Sequence, residues 1–255
     1  MNELSSITIK SDKEISYMRE AGRIIADIMN RMEKAIEPGI TTRELDNICR
    51  KQIKLNKVKS AFLGLYGFPD TICVSINEEI VHGIPSNRKL NHGDLISIDA
   101  GVIVSGFNSD HAKTFPVGDC SEKDMNLIYD TSKSLELAIN NCTADNTVGD
   151  IGHAVEDYIV EKGYGLVRNY TGHGIGKALH EPPQVPNFGK PGYGVKLRSG
   201  MTLAIEPMVN LGSDETKLCD DGWTVVTSDG AKSAHFENTV LITDGKPELL
   251  TVWYG

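Results

Sequence analysis

The sequence has few cysteines and no closely spaced pair of them. The five that are present are odd in number and widely separated: Cys49, Cys73, Cys120, Cys142 and Cys219. The Cys-x-x-Cys spacing that is typical of structural zinc sites and dithiol redox centres is missing. This pattern argues against a disulfide framework and predicts a protein of a reducing compartment.

The chain also lacks long apolar runs. Its N-terminal segment, MNELSSITIKSDKE, is too polar for a signal peptide. No stretch approaches the roughly 20 apolar residues that a membrane-spanning helix needs. We therefore expect a cytoplasmic protein that does not use a membrane as a partner.

An excess of positive charge is absent as well. The net charge is -9 and the isoelectric point is near 5.3, so the chain has no electrostatic footprint for nucleic acid or acidic membranes. No low-complexity stretch and no linker rich in Pro, Gly or Ser divides the 255 residues. This continuity predicts a single domain spanning residues 1–255.

Two aspartates stand in an apolar hairpin between Leu95 and Phe115, LISIDAGVIVSGFNSDHAKTF. If the chain turns near Ser105, Asp99 and Asp110 lie opposite or diagonally opposite each other, with Cβ atoms about 5–8 Å apart. Carboxylates that close repel each other, so they become protonated or hold a cation between them. The alternative is that one aspartate ends a strand or pairs with a lysine such as Lys113.

The helical signals occur in two sets. Ser11-x-x-Glu14 and Thr41-x-x-Glu44 are capping boxes that open helices ending near residues 38 and 57. Apolar spacing predicts two more helices, over 121–141 and 147–162, and strands over 201–209, 223–227, 233–242 and 249–253. Two helices followed by acid-bearing strands thus occur twice, in halves of about 1–118 and 119–255. An α/β fold with pseudo-two-fold symmetry is predicted, with antiparallel strands and helices over one face.

Three more polar residues stand where apolar ones are expected. Glu206 interrupts LAIEPMV, Glu237 interrupts AHFENTVLI, and His173 lies between glycines in GHGIG. Each one alone is typical of an edge or surface position. Together with the two aspartates they supply four carboxylates and one imidazole, which would neutralise two divalent cations. Oxygen-rich ligation favours manganese, iron(II) or cobalt, with zinc left open.

Six motifs resemble those of the type I methionine aminopeptidases in their short bacterial form. They are NEEIVHGIP (77–85), SIDAGVIVSGFNSDHAKTF (97–115), YTGHGIGKALHEPPQVPNFG (170–189), LAIEPMVN (203–210), DGWTV (221–225) and SAHFENT (233–239). The resemblance extends from about Ser11 to Tyr254. It implies the pita-bread fold, in which an antiparallel sheet flanked by helices holds a dinuclear metal site at its centre.

The resemblance also implies a ligand set. Asp99 would bind one metal, Asp110 and Glu237 would bridge both, and His173 and Glu206 would complete the second. A hydroxide bridging the two metals would be the nucleophile, and a metal would polarise the scissile carbonyl.

Further roles follow from the same resemblance. His82 and His180 match the two substrate-facing histidines of the family, and Glu206 would also act as a proton shuttle. The walls of a methionine pocket would include Phe62, Leu65, Phe68, Cys73, Leu179 and Trp223. The family often has Cys at Phe62, Tyr at Leu65 and Phe68, and Phe at Leu179, so a pocket of altered shape is expected. The alternative is that Phe62 and Cys73 are plain core residues.

Other departures from the family pattern lie near the proposed metals. His235 stands where Gln is usual, Asn238 where His is usual, and Ala204 where Thr is common. We expect His235 to share a strand face with Glu237 and to tune that carboxylate or the incoming substrate. The alternative is that it packs in the core or faces solvent. His111 should point away from the face that Asp110 uses.

The implied activity is removal of the initiator methionine from nascent proteins, with a preference for a small second residue. The implied partners are peptides with N-terminal Met and nascent chains at the ribosome, and a monomer is expected. Two alternatives stay open. One is a proline-specific relative, an Xaa-Pro aminopeptidase or prolidase, and the other is a metal-free module that binds peptides without cleaving them.

Overall fold

The computed structural model describes residues 7–252. Within them, four α-helices are present: α1 (Asp12–Glu33), α2 (Thr42–Asn56), α3 (Glu122–Asn140) and α4 (Val148–Glu161). All four agree with the predicted spans to within a few residues. None of the helices in this part of the chain combines the length and the apolar character needed to cross a membrane.

The helix starts are fixed by side-chain caps. Ser11 with Glu14 and Thr41 with Glu44 form the two predicted capping boxes, which satisfy backbone N–H groups of the first turns. Thr147 and Asp150 form a third capping box at the start of α4. The sequence analysis missed this one because the acidic partner is Asp rather than the usual Glu or Gln.

The strands are short except for one long hairpin. In chain order they are β1 (Lys59–Ser60), β2 (Ile72–Ile76), β3 (Glu79–Val81), β4 (Leu95–Val104), β5 (Phe107–Pro116), β6 (Gly165–Leu166), β7 (Gly172–Gly174), β8 (Glu181–Val185), β9 (Thr202–Ile205), β10 (Met208–Asn210), β11 (Thr216–Leu218), β12 (Val225–Thr227), β13 (Ser233–His235), β14 (Glu237–Leu241) and β15 (Glu248–Leu249). A single 3₁₀ turn lies at Leu65–Gly67 in the described region.

The largest sheet joins the two halves of the chain. Its order is β1-β4-β5-β14-β9-β7-β8, with β2 paired to β4 and β15 to β14, and every one of these pairs is antiparallel. Two three-stranded sheets, β13-β10-β6 and β11-β12-β3, flank it. Because β5 pairs with β14, strands from the two halves that carry acidic residues become neighbours. The predicted mixed α/β fold with antiparallel strands is confirmed.

The helices cover one face of the large sheet. In the first half, apolar residues of α1 and α2 pack on alternate residues of β4: Ile25, Ile28, Leu45, Ile96, Ile98 and Val102. In the second half, residues of α3 and α4 pack on β9 and β14: Leu127, Leu135, Val155, Leu203 and Val240. Side chains alternate along a strand, so the intervening residues of β4, including Asp99, face away from the helices. The prediction of helices on one face is confirmed.

Two predicted strands are each broken in the middle. The strand predicted over 201–209 divides at Glu206-Pro207 into β9 and β10, and the one over 233–242 divides at Phe236 into β13 and β14. Proline cannot donate a hydrogen bond to a neighbouring strand, so the ladder ends there. The two breaks face each other, since Phe236 N donates to Pro207 O at 3.3 Å. The chain therefore passes from one sheet to another at both points.

The last predicted strands are shorter than expected. The strand predicted over 223–227 is Val225–Thr227, and Trp223 precedes it as part of a turn held by Asp221. The strand predicted over 249–253 is Glu248–Leu249, and Trp253 lies outside the described residues.

Candidate metal centre

The long hairpin places two carboxyl groups on the face opposite the helices. Asp99 is in register with Ala112 and Asp110 with Gly101, so the two aspartates are diagonal neighbours across β4 and β5. The two carboxyl groups are close enough that the charge of Asp99 helps to raise the pKa of Asp110. The turn lies at Ser105, which has a φ of 50°, as the sequence predicted. Lys113 instead pairs with Glu33 at 3.1 Å, so the lysine alternative is wrong.

Strand pairing carries the second-half residues to the same face. Glu237 is in register with Ala112, which is also the partner of Asp99, so one row across three strands holds both acids. His173 lies in a neighbouring row opposite Ala204. Glu206 follows directly after β9, where Pro207 turns the chain out of the sheet. The five side chains thus converge from the β4–β5 hairpin, β7, the break after β9, and β14.

Distances show how closely the groups approach. Asp110, His173 and Glu237 each offer one ligand atom, and these atoms lie within 4.8 Å of one another. His173 Nε2 lies 3.9 Å from Asp110 Oδ2 and 3.6 Å from Glu206 Oε1. His173 Nδ1 donates to Gly174 O at 2.8 Å, which leaves Nε2 of the neutral ring free to act as a ligand.

Burial makes this arrangement costly without a cation. Burial raises the pKa of Asp99 to about 7. Burial, followed by repulsion from neighbouring carboxylates, raises the pKa values of Asp110, Glu206 and Glu237 well above their ordinary range. Burial also lowers the pKa of His173 to about 4, so its ring is neutral. Four carboxyl groups in one buried space cannot all ionise unless positive charge balances them.

Two oxygens of the cluster lack any partner within the described chain. Asp99 Oδ1 and Glu237 Oε1 are buried and accept no hydrogen bond. Such groups are rare in folded proteins because an unsatisfied buried acceptor costs about 1–3 kcal/mol. Divalent cations coordinated by carboxylate oxygens and one imidazole would satisfy both oxygens. The residues therefore fit a metal centre.

Two further histidines border the cluster. The ring of His180 meets that of His173 edge-on, with centroids 4.5 Å apart and planes at 83°. His82 has a φ of 63° and packs edge-on against Tyr170 at 5.9 Å. Burial lowers the pKa of both His82 and His180, so both rings are neutral near pH 7 and each has one N–H to donate.

A small cavity of about 130 Å³ opens beside these groups. Its apolar lining includes all six residues predicted for the methionine pocket: Phe62, Leu65, Phe68, Cys73, Leu179 and Trp223. The rings of Phe68 and Trp223 meet edge to face with centroids 5.1 Å apart. A wider cleft of about 600 Å³, lined by residues that include Gln184, Met208 and His235, meets the cluster from another side.

Tyr66 also lines the small cavity and was missed by the sequence analysis. Its ring is 77% exposed and lies parallel to that of His180, with centroids 6.1 Å apart. Tyr66 has a φ of 51°, which is unusual outside glycine, and it lies between Gly64 and Gly67. The run Gly-Leu-Tyr-Gly was the available signal, since paired glycines around a bulky residue indicate a tight, irregular turn.

His235, which departs from the family pattern, and His111 lie at different positions relative to the cluster. His235 Nε2 lies 3.7 Å from Glu206 Oε2 and has no hydrogen-bond partner within the described residues. His235 is 2% exposed, so the solvent-facing alternative is wrong. His235 lies on β13 and Glu237 on β14, on either side of the break at Phe236, and both side chains reach the cluster. His111 lies on the helix-covered face, as predicted, and its Nδ1 contacts Glu237 O at 2.6 Å.

Comparison with known proteins decides the family. The model of metallopeptidase family M24 matches residues 16–244. The chain belongs to metallopeptidase family M24. Within the family it is 48% identical to a methionine aminopeptidase from Clostridium perfringens over 246 residues, which cover 96% of this chain and 99% of that protein. It is 46% identical to methionine aminopeptidase 1 of Bacillus subtilis over 245 residues.

Solved structures of M24 proteins agree. The methionine aminopeptidase of Thermotoga maritima superposes with a TM-score of 0.95 at 42% identity, covering 96% of this chain and 99% of that one. A prolidase from Pyrococcus horikoshii superposes with a TM-score of 0.79 at 25% identity, and only 63% of it is covered. The fold is the pita-bread fold shared by both groups, and this member is a hydrolase of the methionine aminopeptidase type.

Family membership bears on both alternatives. An M24 metallopeptidase depends on divalent metal ions, and all five expected ligand positions are filled here, which argues against a metal-free binding module. The proline-specific alternative has less support, because identity falls from 48% to 25% between the two kinds of relative.

Proposed function

We propose that this enzyme removes the initiator methionine from nascent proteins whose second residue is small. It would act in the cytoplasm on chains leaving the ribosome, as a monomer whose residues 1–255 form one catalytic domain. The observation that carries the proposal is the convergence of four buried carboxyl groups and one neutral imidazole beside a cavity with apolar walls.

Two divalent ions are proposed to occupy the cluster. Asp99 would hold one of them, Asp110 and Glu237 would serve both, and His173 and Glu206 would hold the second. The two partnerless oxygens, Asp99 Oδ1 and Glu237 Oε1, support this assignment because each has a free lone pair inside the cluster. Manganese, iron(II) and cobalt fit such an oxygen-rich set best.

The chemistry divides between the ions and the protein. Bound divalent ions would lower the pKa of a water molecule toward neutrality and polarise the scissile carbonyl. Glu206, whose side chain is 14% exposed at the edge of the cluster, would carry a proton from the attacking water to the leaving amine. His180 donates a hydrogen bond to the carbonyl oxygen as negative charge develops there, and His82 holds the substrate backbone.

The small cavity is proposed to receive the methionine side chain. Methionine is flexible and its sulfur makes favourable contacts with aromatic edges. The ring pair of Phe68 and Trp223 offers such edges, and Leu65 and Leu179 supply aliphatic contact. The rest of the substrate would leave the site through the wider cleft.

Metal reconstitution tests the proposal. Metal-free enzyme is loaded separately with Mn²⁺, Co²⁺ and Fe²⁺, then given Met-Ala-Ser and Ala-Pro in parallel. We expect release of free methionine from the tripeptide, no cleavage of Ala-Pro, and two ions bound per chain by calorimetry. Cleavage of Ala-Pro alone, or no cleavage with any ion, would contradict the assignment.

A further inference from the structure

Lys10 is a buried lysine outside the metal cluster. It is 7% exposed, and its Nζ lies 2.8 Å from Glu181 Oε2. The two side chains of this ion pair are only 4% and 12% exposed. A buried ammonium group is costly unless it is paired and hydrogen-bonded. The pair connects the N-terminal segment to the residue that directly follows His180.

Glu181 uses both of its carboxylate oxygens. Oε2 accepts hydrogen bonds from Lys10 Nζ at 2.8 Å and Thr8 Oγ1 at 2.9 Å. Oε1 accepts one from the backbone N–H of Ala178 at 3.1 Å. The carboxylate therefore ties the backbone of the loop before it to the N-terminal segment.

The loop over residues 176–180 has no regular secondary structure, although it carries Leu179 and His180. Its start is held by Asn108, whose Nδ2 donates to Gly176 O at 2.9 Å and to Lys177 O at 3.0 Å. Its end is held by the Lys10 and Glu181 pair.

The contact surface of the pair is close-packed. A Cβ atom at Gly176 would lie 2.6 Å from both Lys10 Cε and Glu181 Oε1. Lys10 itself is anchored, because its backbone N–H donates to Gly200 O at 2.9 Å. The aliphatic end of Lys10 therefore packs against Gly176 at the start of the loop, while the Lys10 backbone is hydrogen-bonded to the main fold.

We propose that Lys10 is a positioning residue for catalysis: through Glu181 it holds the loop over residues 176–180 so that His180 faces the scissile carbonyl. The inference rests on the role proposed above for His180. A small displacement of a catalytic group lowers the rate strongly because the geometry of the transition state is demanding. Lys10 touches neither substrate nor metal and acts only through the loop.

The first test replaces Lys10 by an apolar residue of similar length. In Lys10→Met enzyme we expect kcat to fall by about tenfold, with KM for Met-Ala-Ser and metal affinity within about twofold of the parent. Lys10→Arg keeps the charge and should recover most of the loss. Lys162→Met is the matched control, since Lys162 pairs with the buried acid Asp130 at 3.4 Å far from the cluster. It should leave kcat unchanged.

A double-mutant cycle with His180→Ala distinguishes positioning from general destabilisation. If Lys10 acts through His180, then Lys10→Met should cost less than about twofold in kcat once the imidazole is gone. An equal loss in both backgrounds, or an unchanged kcat in the His180-containing enzyme, would overturn the proposal.

A second variant and a second measurement guard against misfolding and against failure of the proposed function. Thr8→Val removes one hydrogen bond from Glu181 and should give a smaller loss of the same kind. Amide hydrogen exchange over residues 176–181 should become faster in Lys10→Met and stay unchanged in Lys162→Met. This result does not require activity, so unchanged exchange would overturn the positioning role even if the enzyme proved to have another substrate.

Discussion

The two halves of the chain contribute to the candidate metal centre in different ways. The first half supplies Asp99 and Asp110 from one hairpin, so both are placed by a single local pairing. The second half supplies three groups from three separate elements: His173 on β7, Glu206 in the break after β9, and Glu237 at the start of β14. The hairpin brings two mutually repelling carboxylates together. Only the assembled sheet adds the three groups that would complete a cation site.

The largest effect is expected when one carboxylate is removed from either half. Asp110→Asn and Glu237→Gln each keep the size of the side chain and remove one charge. Both should lower kcat/KM by at least about a thousandfold and reduce bound metal, because each deletes a carboxylate proposed to hold both ions. Elemental analysis measures the bound metal, and kinetics with Met-Ala-Ser measure kcat/KM.

Glu248→Gln is the control, since Glu248 is an exposed partner of Arg19. It should change neither metal content nor rate. If the loss in Glu237→Gln were more than tenfold smaller than in Asp110→Asn, the two halves would not share one centre.

A smaller effect is expected at His180, which is not among the proposed metal ligands. His180→Ala should lower kcat by about a hundredfold, because a hydrogen bond to developing negative charge is lost. Metal content should stay at the parent level, unlike in the carboxylate variants. Loss of metal together with activity would mean that His180 belongs to the centre itself.

The pH dependence of the metal-free protein tests the charge cluster directly. Raised pKa values mean that the folded state binds more protons than the unfolded state, so stability falls as pH rises through the folded pKa. The lowered pKa values of the buried histidines have the opposite effect, because they make stability rise with pH. That rise ends near the ordinary histidine pKa of about 6.5. Between about pH 6.5 and 7.5 the melting temperature of metal-free protein should therefore fall, because the loss from Asp99 continues up to its folded pKa of about 7 and the raised pKa values of Asp110, Glu206 and Glu237 add to it.

Added divalent metal supplies the comparison. Bound metal should abolish the fall in melting temperature, because the cation balances the negative charge of the ionised carboxylates. A melting temperature that stays flat over this range without metal would contradict the close approach of the acids from the two halves.

The smallest effect is expected at His235. His235→Gln keeps a hydrogen-bonding side chain beside Glu206 and should change metal affinity or the pH–rate profile by about tenfold or less. Calorimetry and kinetics over a range of pH measure the two quantities. If neither changed, His235 would have no part in tuning the centre, and its 3.7 Å approach to Glu206 would be packing alone.

The difference between the two halves of the chain also explains how much of the site the sequence could predict. The hairpin is local, and its alternating pattern and Ser105-Gly106 turn were enough to place Asp99 and Asp110 opposite or diagonally opposite each other; the structure shows the diagonal arrangement. The alignment of Glu237 with the pair depends on a β5 to β14 pairing between residues far apart in sequence. No periodicity within either strand encodes such a pairing, so the polar residues in apolar strands suggested one shared site, and their individual ligand roles were implied only by resemblance to a family.

Two features could not be predicted from the sequence: the strand break at Phe236 and the pairing of Lys10 with Glu181. The break at Phe236 has no proline or glycine of its own and follows from its contact with Pro207 across the sheets. Without it, the sequence places His235 and Glu237 on one continuous strand, whereas they lie on β13 and β14. The pairing of Lys10 with Glu181 joins residues far apart in sequence, and a single buried lysine gives no pattern from which to find it.

Crystals of the enzyme grown with Mn²⁺ offer the most direct measurement, because anomalous scattering locates each manganese ion independently of the protein model. The account predicts two peaks within the five side chains, with Asp110 and Glu237 contacting both. A single peak held by Asp99 and Asp110 alone, with Glu206 or Glu237 turned away, would contradict it.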